Sequence, residues 1–313
     1  MPVFCFLSPG WKTLYPSAEN GRIQKKPAVP RKAGETGQTT LERSEQAERS
    51  IVKKYRRQIW LPFLSAIKKY ELIREGDRIA VCISGGKDSM LTAKCMQHLQ
   101  RYSDFPFQVE YLVMDPGYRA ENRRLVEENA AALGLPVHIF ETRIFEIVGD
   151  TDRSPCYLCA KMRRGCLYRH AQELGCNKIA LGHHFDDVVE TILLSMLYGA
   201  EIRTMMPKLH SLHYPGMELI RPLYLVKEDD VIAWARYNSL HFIRCACRFT
   251  ENSAAGTGSS KRQEMKELVR QFRRKSPNID KNIFHSLENV NLEAVAGWRS
   301  GGRHHSFLDD YDK

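Results

Sequence analysis

The chain has 313 residues, of which 43% are hydrophobic and 27% charged. That apolar content excludes a wholly disordered chain and suits one large domain, or two small ones, with a substantial core. Lys and Arg number 47 against 37 Asp and Glu, and the net charge of +10 points to an anionic partner, most simply nucleic acid or nucleotide.

Residues 1–42 mix Pro, Gly, Lys, Glu and Ser without periodicity and are expected to form a flexible extension. Residues 43–75 are expected to form basic N-terminal helices. Between Leu41 and Ile73 the residues Ile51, Tyr55, Ile59, Phe63 and Ile67 return to one face. Pro62 opens a second helix, and Lys53, Lys54, Arg56 and Arg57 crowd the first. Strands then alternate with helices across 76–250. Arg78–Ile83 is a buried strand before a helix over Asp88–Tyr102. Phe107–Met114 is a second strand, before a helix over Arg119–Leu133 closed by Gly134, and Val137–Phe140 is a third. A helix over Tyr157–Leu174 ends at Gly175 and leads to a fourth strand, Lys178–Leu181. A helix over Asp186–Tyr198 stops at Gly199, and Met217–Ile220 makes a fifth strand. This alternation predicts an α/β fold, a parallel doubly wound sheet with helices on both faces. After a polar linker to Ser260, residues 251–298 form a C-terminal helical region with helices over Ser260–Arg274 and Ile279–Val290. Residues 299–313, including His304 and His305, read as a loose tail.

The nine cysteines (Cys5, Cys82, Cys95, Cys156, Cys159, Cys166, Cys176, Cys245 and Cys247) are odd in number and unevenly spaced, unlike a secreted disulfide framework. The apolar run Val3–Leu7 is too short for a signal-peptide core, and no later stretch approaches a membrane span, so the cytoplasm is the expected compartment. Paired cysteines in that setting point to metal binding or redox chemistry. Cys82, Cys95, Cys166 and Cys176 fall in strand and helix patterns and read as buried small hydrophobes.

The strongest local feature is Ser84-Gly85-Gly86-Lys87-Asp88-Ser89, between the first strand and the first helix of the alternation. Glycines let backbone N–H groups approach an anion, and the helix N-terminus adds donors and a favourable dipole. Lys87 adds a compact positive charge, Ser84 and Ser89 add hydroxyls, and Asp88 suits a Mg²⁺ ion lying between it and phosphate. The spacing is neither a Walker A loop nor a dinucleotide fingerprint. It resembles the PP-loop ATP pyrophosphatase superfamily, whose signature is Ser-Gly-Gly-x-Asp-Ser. That resemblance implies ATP cleavage between the α and β phosphates, release of pyrophosphate and an adenylated substrate.

Cys156-Tyr-Leu-Cys159 opens a helix, and Cys245-Ala-Cys247 follows about ninety residues later. Two pairs suit shared coordination, either structural Zn²⁺ or an iron–sulfur site. Together with Arg163-Arg164-Gly165 and Gly182-His183-His184-Phe185-Asp186-Asp187, these motifs resemble the TtcA-type tRNA 2-thiocytidine synthetases over about Leu41–Val290. The resemblance implies a [4Fe–4S] cluster on Cys156, Cys159 and Cys245. Cys247 is the alternative third ligand, because this chain has C-x-C where the family usually has C-x-x-C. It also implies that Met114 and Asp115 hold adenosine. Gly182, with His183 beside it, allows close approach of that nucleoside. Asp186 and Asp187 hold Mg²⁺ or orient the base, and Arg163 neutralises phosphate.

The implied reaction is ATP-dependent thiolation at C2 of an anticodon-loop cytidine, position 32. Its expected partners are tRNA and a sulfur donor such as a cysteine desulfurase, with no membrane involvement and a homodimer as the assembly to test. The alternatives are a PP-loop thiolase for another base using a cysteine persulfide, an amide-forming ligase, and a non-catalytic zinc-stabilised RNA-binding module. The positive excess lies in the leading helices and the later part of the chain, while 76–150 is slightly acidic. A long RNA, and not ATP, accounts for that distribution.

Overall fold

The computed structural model describes residues 35–149, 155–243 and 261–312. Helix α1 (Glu35–Arg49) opens this part, so the expected extension gives way to helix before residue 42. Two wider, π-type turns follow, Ser50–Lys54 and Arg56–Trp60, and then α2 (Leu61–Lys69) with Pro62 in its first turn. Ile51, Ile59, Phe63 and Ile67 are buried, and the Tyr55 hydroxyl donates to the Ala233 carbonyl at 3.0 Å. Their repeat of four residues is wider than an α-turn of about 3.6 residues and narrower than the i→i+5 winding of a π-turn. Alternating the two windings keeps one apolar stripe facing inward.

The sheet contains β1 (Arg78–Ile83), β2 (Gln108–Asp115), β3 (Val137–Glu141), β4 (Lys178–Ala180), β5 (Lys208–His210) and β6 (Glu218–Ile220), in the order β3-β2-β1-β4-β6-β5. All pairings are parallel except β5 with β6. Helices α3 (Lys87–Tyr102), α4 (Ala120–Ala132), α5 (Ile144–Gly149), α6 (Pro155–Glu173) and α8 (Glu228–Tyr237) connect or follow the strands, and α7 (Phe185–Gly199) begins after β4. Ala80 and Cys82 of β1 pack with Tyr168 and Ala171 of α6. Ile79, Val81 and Ile83, which alternate with them, are equally buried and face the side that α3 covers. Both faces are therefore sealed, which is the expected doubly wound arrangement. Sequence reading missed β5, α5 and α8. Each is a short element held by its neighbours, without a long periodic pattern of its own.

The chain divides into two compact units. The first takes residues up to 185 together with 206–257; the second takes 186–205 and the residues from 258 onward. The basic helices thus belong with the sheet, whereas α7 from Asp186 onward groups with the C-terminal region. In the second unit, α9 (Lys261–Lys275) and α10 (Ile279–Ser286) match the two expected helices. The latter stops short of Val290. Asn291 then caps a single turn, its side chain accepting from the Glu293 N–H at 3.1 Å.

The loose tail is a correction. Gly297–Ser300 (β7) and Arg303–Ser306 (β8) form an antiparallel hairpin. Gly301 and Gly302 make its two-residue turn at φ 57° and 77°, the left-handed region that such a turn demands. The rings of Trp298 and His305 stack across it at 5.1 Å. The Gly-Gly pair was the available signal, and compositional reading passed over it.

Candidate functional site

The chain builds outward from β1 to β2 and β3, then returns to the other side of β1 with β4. The switch point therefore lies between β1 and β4, where open α/β sheets bind ligands at the carboxyl ends of their strands. The loops after β1 and β4 meet there. A Cβ on Gly182 would lie 2.8 Å from both the Asp88 carbonyl carbon and the Ser89 nitrogen. Gly182 therefore makes room for the phosphate loop itself, a need beyond its expected role of making room for adenosine.

Within the loop, Gly85 has φ +81°, and a Cβ there would meet Val126 Cγ2 at 2.8 Å. The Ser84 N–H donates to Ser89 Oγ at 3.1 Å, and Ser89 Oγ donates to the Gly86 carbonyl at 2.9 Å. These bonds curl the loop so that Lys87 starts α3, whose first N–H groups lack intrahelical acceptors and suit an anion. Lys87 Nζ lies 3.1 Å from Asp88 Oδ2 and 3.1 Å from Glu228 Oε1. Burial works to lower the Lys87 pKa, but the two carboxylates outweigh it and hold the ammonium above its ordinary value. Glu228 escaped sequence reading, since nothing local to α8 signals a partner 141 residues away. His184 is buried, and its Nε2 lies 3.7 Å from Asp88 Oδ1.

At the end of β2, Met114 is buried against Ile144, Phe140, Leu158 and Cys159. Its side chain is core, which leaves its backbone at the end of β2 as the part that could face a nucleoside. Asp115 turns inward as well. Its Oδ1 accepts the Gly117 and Tyr118 N–H groups at 2.9 and 2.6 Å, and its Oδ2 accepts from Arg123 at 2.8 Å. Burial opposes the charge, yet these bonds hold the carboxyl below its ordinary pKa. Asp115, Gly117, Tyr118, Glu141, Thr142, Arg143 and Glu146 line a cavity of about 340 Å³ beside the ends of β2 and β3.

Tyr118, also missed from sequence, ties the turn after β2 to the phosphate loop. Its hydroxyl donates to the Ser84 carbonyl at 3.3 Å, and its ring meets Phe145 edge-on at 6.4 Å. Burial pushes its phenol pKa up, Arg163 acts against this, and Asp115 and Cys159 add to it. Cys159 is half-buried. Cys156 lies three residues earlier in the same helix, while Cys245 and Cys247 lie outside the described residues. Cys82, Cys95 and Cys176 are buried as expected. Burial drives the Cys82 thiol up to about 12 and Cys176 to about 11, which keeps both protonated. Cys166 is only half-buried, packed beside Met114 and Ile144.

In the second unit, Asp186 Oδ1 is 2.6 Å from Arg273, and Asp187 Oδ1 is 2.5 Å from Arg262. Arg273 also pairs with fully buried Asp280 at 2.8 Å, and Arg262 with Glu190 at 3.2 Å. Asp186 and Asp187, expected to hold Mg²⁺ or orient the base, are here two carboxylates that anchor α9. Among the described residues no three His, Cys, Asp or Glu side chains gather as a metal site, and no helix is long and apolar enough to cross a membrane.

Residues 56–247 match the family model of the PP-loop domain. A tRNA-cytidine(32) 2-sulfurtransferase of Citrifermentans bemidjiense is 36% identical over 229 residues, covering 72% of this chain and 87% of that protein. The one from Burkholderia multivorans is 36% identical over 261 residues, covering 82% and 77%. Among solved structures, the U34-tRNA thiolase NcsA from Methanococcus maripaludis, determined with its [4Fe–4S] cluster, aligns with a TM-score of 0.56 at 18% identity, covering 84% of this chain and 82% of that one. That likeness concerns the fold. By motif order, sheet topology and sequence identity, the chain belongs to the PP-loop enzymes of the tRNA-cytidine(32) 2-sulfurtransferase family.

Proposed function

We propose that this protein is an ATP-dependent sulfurtransferase that converts a tRNA cytidine, at position 32 of the anticodon loop, to 2-thiocytidine. The observation that carries the reading is that the phosphate loop after β1 and the Met114–Ile144 cluster against which Cys159 packs stand at the ends of adjacent strands. Nucleotide and sulfur chemistry need one shared site, and this placement supports one.

In the first stage the cytidine O2 attacks the ATP α-phosphorus and pyrophosphate leaves. The N–H groups at the head of α3 and the Lys87 ammonium stabilise the departing charge. In the second stage sulfur forms a bond to C2, the C2–O bond breaks, and AMP departs with the oxygen. Adenylation is needed because a ring carbonyl oxygen is a poor leaving group. Arg163 offsets the negative charge that develops beside Cys159. The target base must leave its stack to reach such a pocket.

Asp88, at the head of the loop, fits a Mg²⁺ ion as a hard oxygen donor, with the remaining ligands coming from phosphates and water. The α6 cysteines fit a [4Fe–4S] cluster. Cys159 sits half-buried on an apolar wall beside a cationic side chain, and Cys156 and Cys245 would complete the thiolate set, with Cys247 as the alternative to the latter. These three cysteines would hold the cluster, which would supply an open iron site for exogenous sulfur brought by a donor such as a cysteine desulfurase.

The test is anaerobic purification followed by incubation with ATP, Mg²⁺, sulfide and a tRNA transcript. Brown protein with about four irons, yielding AMP, pyrophosphate and 2-thiocytidine, is the expected result. Colourless protein with one zinc and no thiolated base would overturn the reading in favour of an RNA-binding module. Thiolation without iron would point to persulfide chemistry instead.

The tRNA side of the reading rests on the exposed Lys53, Lys54, Arg56 and Arg57, with Lys54 lying over the Tyr237 ring at 3.6 Å. Reversing all four charges is expected to weaken tRNA binding by about a hundredfold or more at moderate salt, while sparing ATP binding. Filter binding across a salt series measures this. An unchanged affinity and salt slope would make that helix face an ordinary solvated surface.

A further inference from the structure

We propose that Glu228 is a positioning residue that acts through Lys87, its carboxylate competing with pyrophosphate for the ammonium and so promoting release of that product. The inference rests on the reading above, in which Lys87 meets the departing pyrophosphate, and adds to it the means of release.

The competitor is firmly placed. Glu228 opens α8, and Val231, Trp234 and Ala235 bury one face of that helix, which packs on α3. The segment before α8 is tied to the end of the loop after β4, because the Phe185 N–H donates to the carbonyl of buried Val226 at 2.9 Å. A second helix thus delivers the carboxylate to the head of α3. There Glu228 Oε1 lies 3.1 Å from Lys87 Nζ, with 13% of the Glu228 side chain exposed. Asp88, next to Lys87 in the chain, takes another of its donors at 3.1 Å.

An ammonium has three donors. Among the described residues, two of them go to Asp88 and Glu228. Pyrophosphate therefore gains one donor freely and must displace a carboxylate to gain a second. Asp88 shares the first turn of α3 with Lys87 and moves with it, whereas Glu228 is carried by α8. The pair that gives way is thus the one with Glu228. Its carboxylate keeps a favourable place afterwards, since it stands in the first turn of α8, where the helix dipole favours negative charge. The ammonium then has two good anionic partners, and exchange between them is reversible. ATP and pyrophosphate meet the same competition, but only ATP has a nucleoside to offset it.

Glu228→Gln keeps the shape and removes the charge, leaving Asp88 to hold the ammonium. Titration calorimetry of the full-length chain with inorganic pyrophosphate and Mg²⁺ is expected to show binding about fivefold tighter than in wild type, the scale of one partly exposed ion pair. Unchanged or weaker binding overturns the proposal, and weaker binding would make Glu228 an ordinary support of the loop. Glu228→Ser also lacks the charge, suits the start of a helix, and is expected to behave alike. Far-UV circular dichroism checks that both variants fold.

The same comparison in a Lys87→Met background separates action through the ammonium from simple repulsion. There Glu228→Gln is expected to change pyrophosphate affinity by less than about twofold, the limit of ordinary additivity. An equal gain in both backgrounds overturns the coupling and leaves only repulsion between carboxylate and pyrophosphate. Equal pyrophosphate affinity in wild type and Lys87→Met overturns the underlying reading of Lys87 and this proposal with it. A Lys87-dependent affinity that Glu228→Gln fails to raise overturns this proposal alone.

Discussion

Gly182→Ala is expected to abolish high-affinity ATP binding, lowering it by about a hundredfold or more. The added methyl would lie 2.8 Å from two backbone atoms of the phosphate loop, the Asp88 carbonyl carbon and the Ser89 nitrogen. A clash with a flexible side-chain tip relaxes cheaply. A clash with backbone moves the loop, and here the moving atoms sit at the head of α3. The Ser84–Ser89 bond and the Gly86 carbonyl contact hold the loop from the opposite side, so it has little freedom to withdraw. Titration with a non-hydrolysable ATP analogue reads the effect, and far-UV circular dichroism checks that the variant remains folded. Affinity within about threefold of wild type, less than one kcal/mol, would mean that the β4 loop does not shape the phosphate site.

Cys159→Ala is expected to reduce 2-thiocytidine formation by at least about a thousandfold, as when a group the chemistry requires is removed. The substitution removes one sulfur from a half-buried position among Met114, Ile144 and Leu158, so its cost in folding stability is expected to stay within about one kcal/mol. Nucleotide binding should persist, because the contacts of Cys159 lie on the β2, α5 and α6 side of the site and not within the phosphate loop. Mass spectrometry of nucleosides from a treated tRNA transcript measures the product. Persistent thiolation would remove Cys159 from the sulfur chemistry and return the α6 pair to a structural role.

Much of this was legible in the chain itself, and for identifiable reasons. The run Arg78–Ile83, apolar at every inward position on both faces, could only be a central parallel strand, and the glycine-rich loop after it had to meet a ligand or a close neighbour. Local chemistry was enough there. It was not enough for Glu228, whose importance comes from an ammonium far away in sequence. Nor was it enough for Tyr118, an unremarkable aromatic until the fold brings its hydroxyl to the Ser84 carbonyl. Gly182 was singled out from sequence, but not its packing against the phosphate loop. Its missing side chain was readable, but which atoms need that space depends on how β4 lies beside β1. The carboxylates Asp186 and Asp187 carried a metal-like signature, and the arginines that answer them come from a helix more than seventy residues later. In each case the residue type spoke to its chemistry, while its partner was fixed only by topology.

The position of β4 between β1 and β6 also bears on synthesis of the protein. Strands β1, β2 and β3 are neighbours in both sequence and space, so they can pair while the ribosome is still translating α6. The phosphate loop would already exist by then, but without Gly182 and His184 against Asp88. A nascent chain stopped before residue 178 would hold half a sheet with an unsupported loop, and its nucleotide affinity would be acquired abruptly when β4 docks.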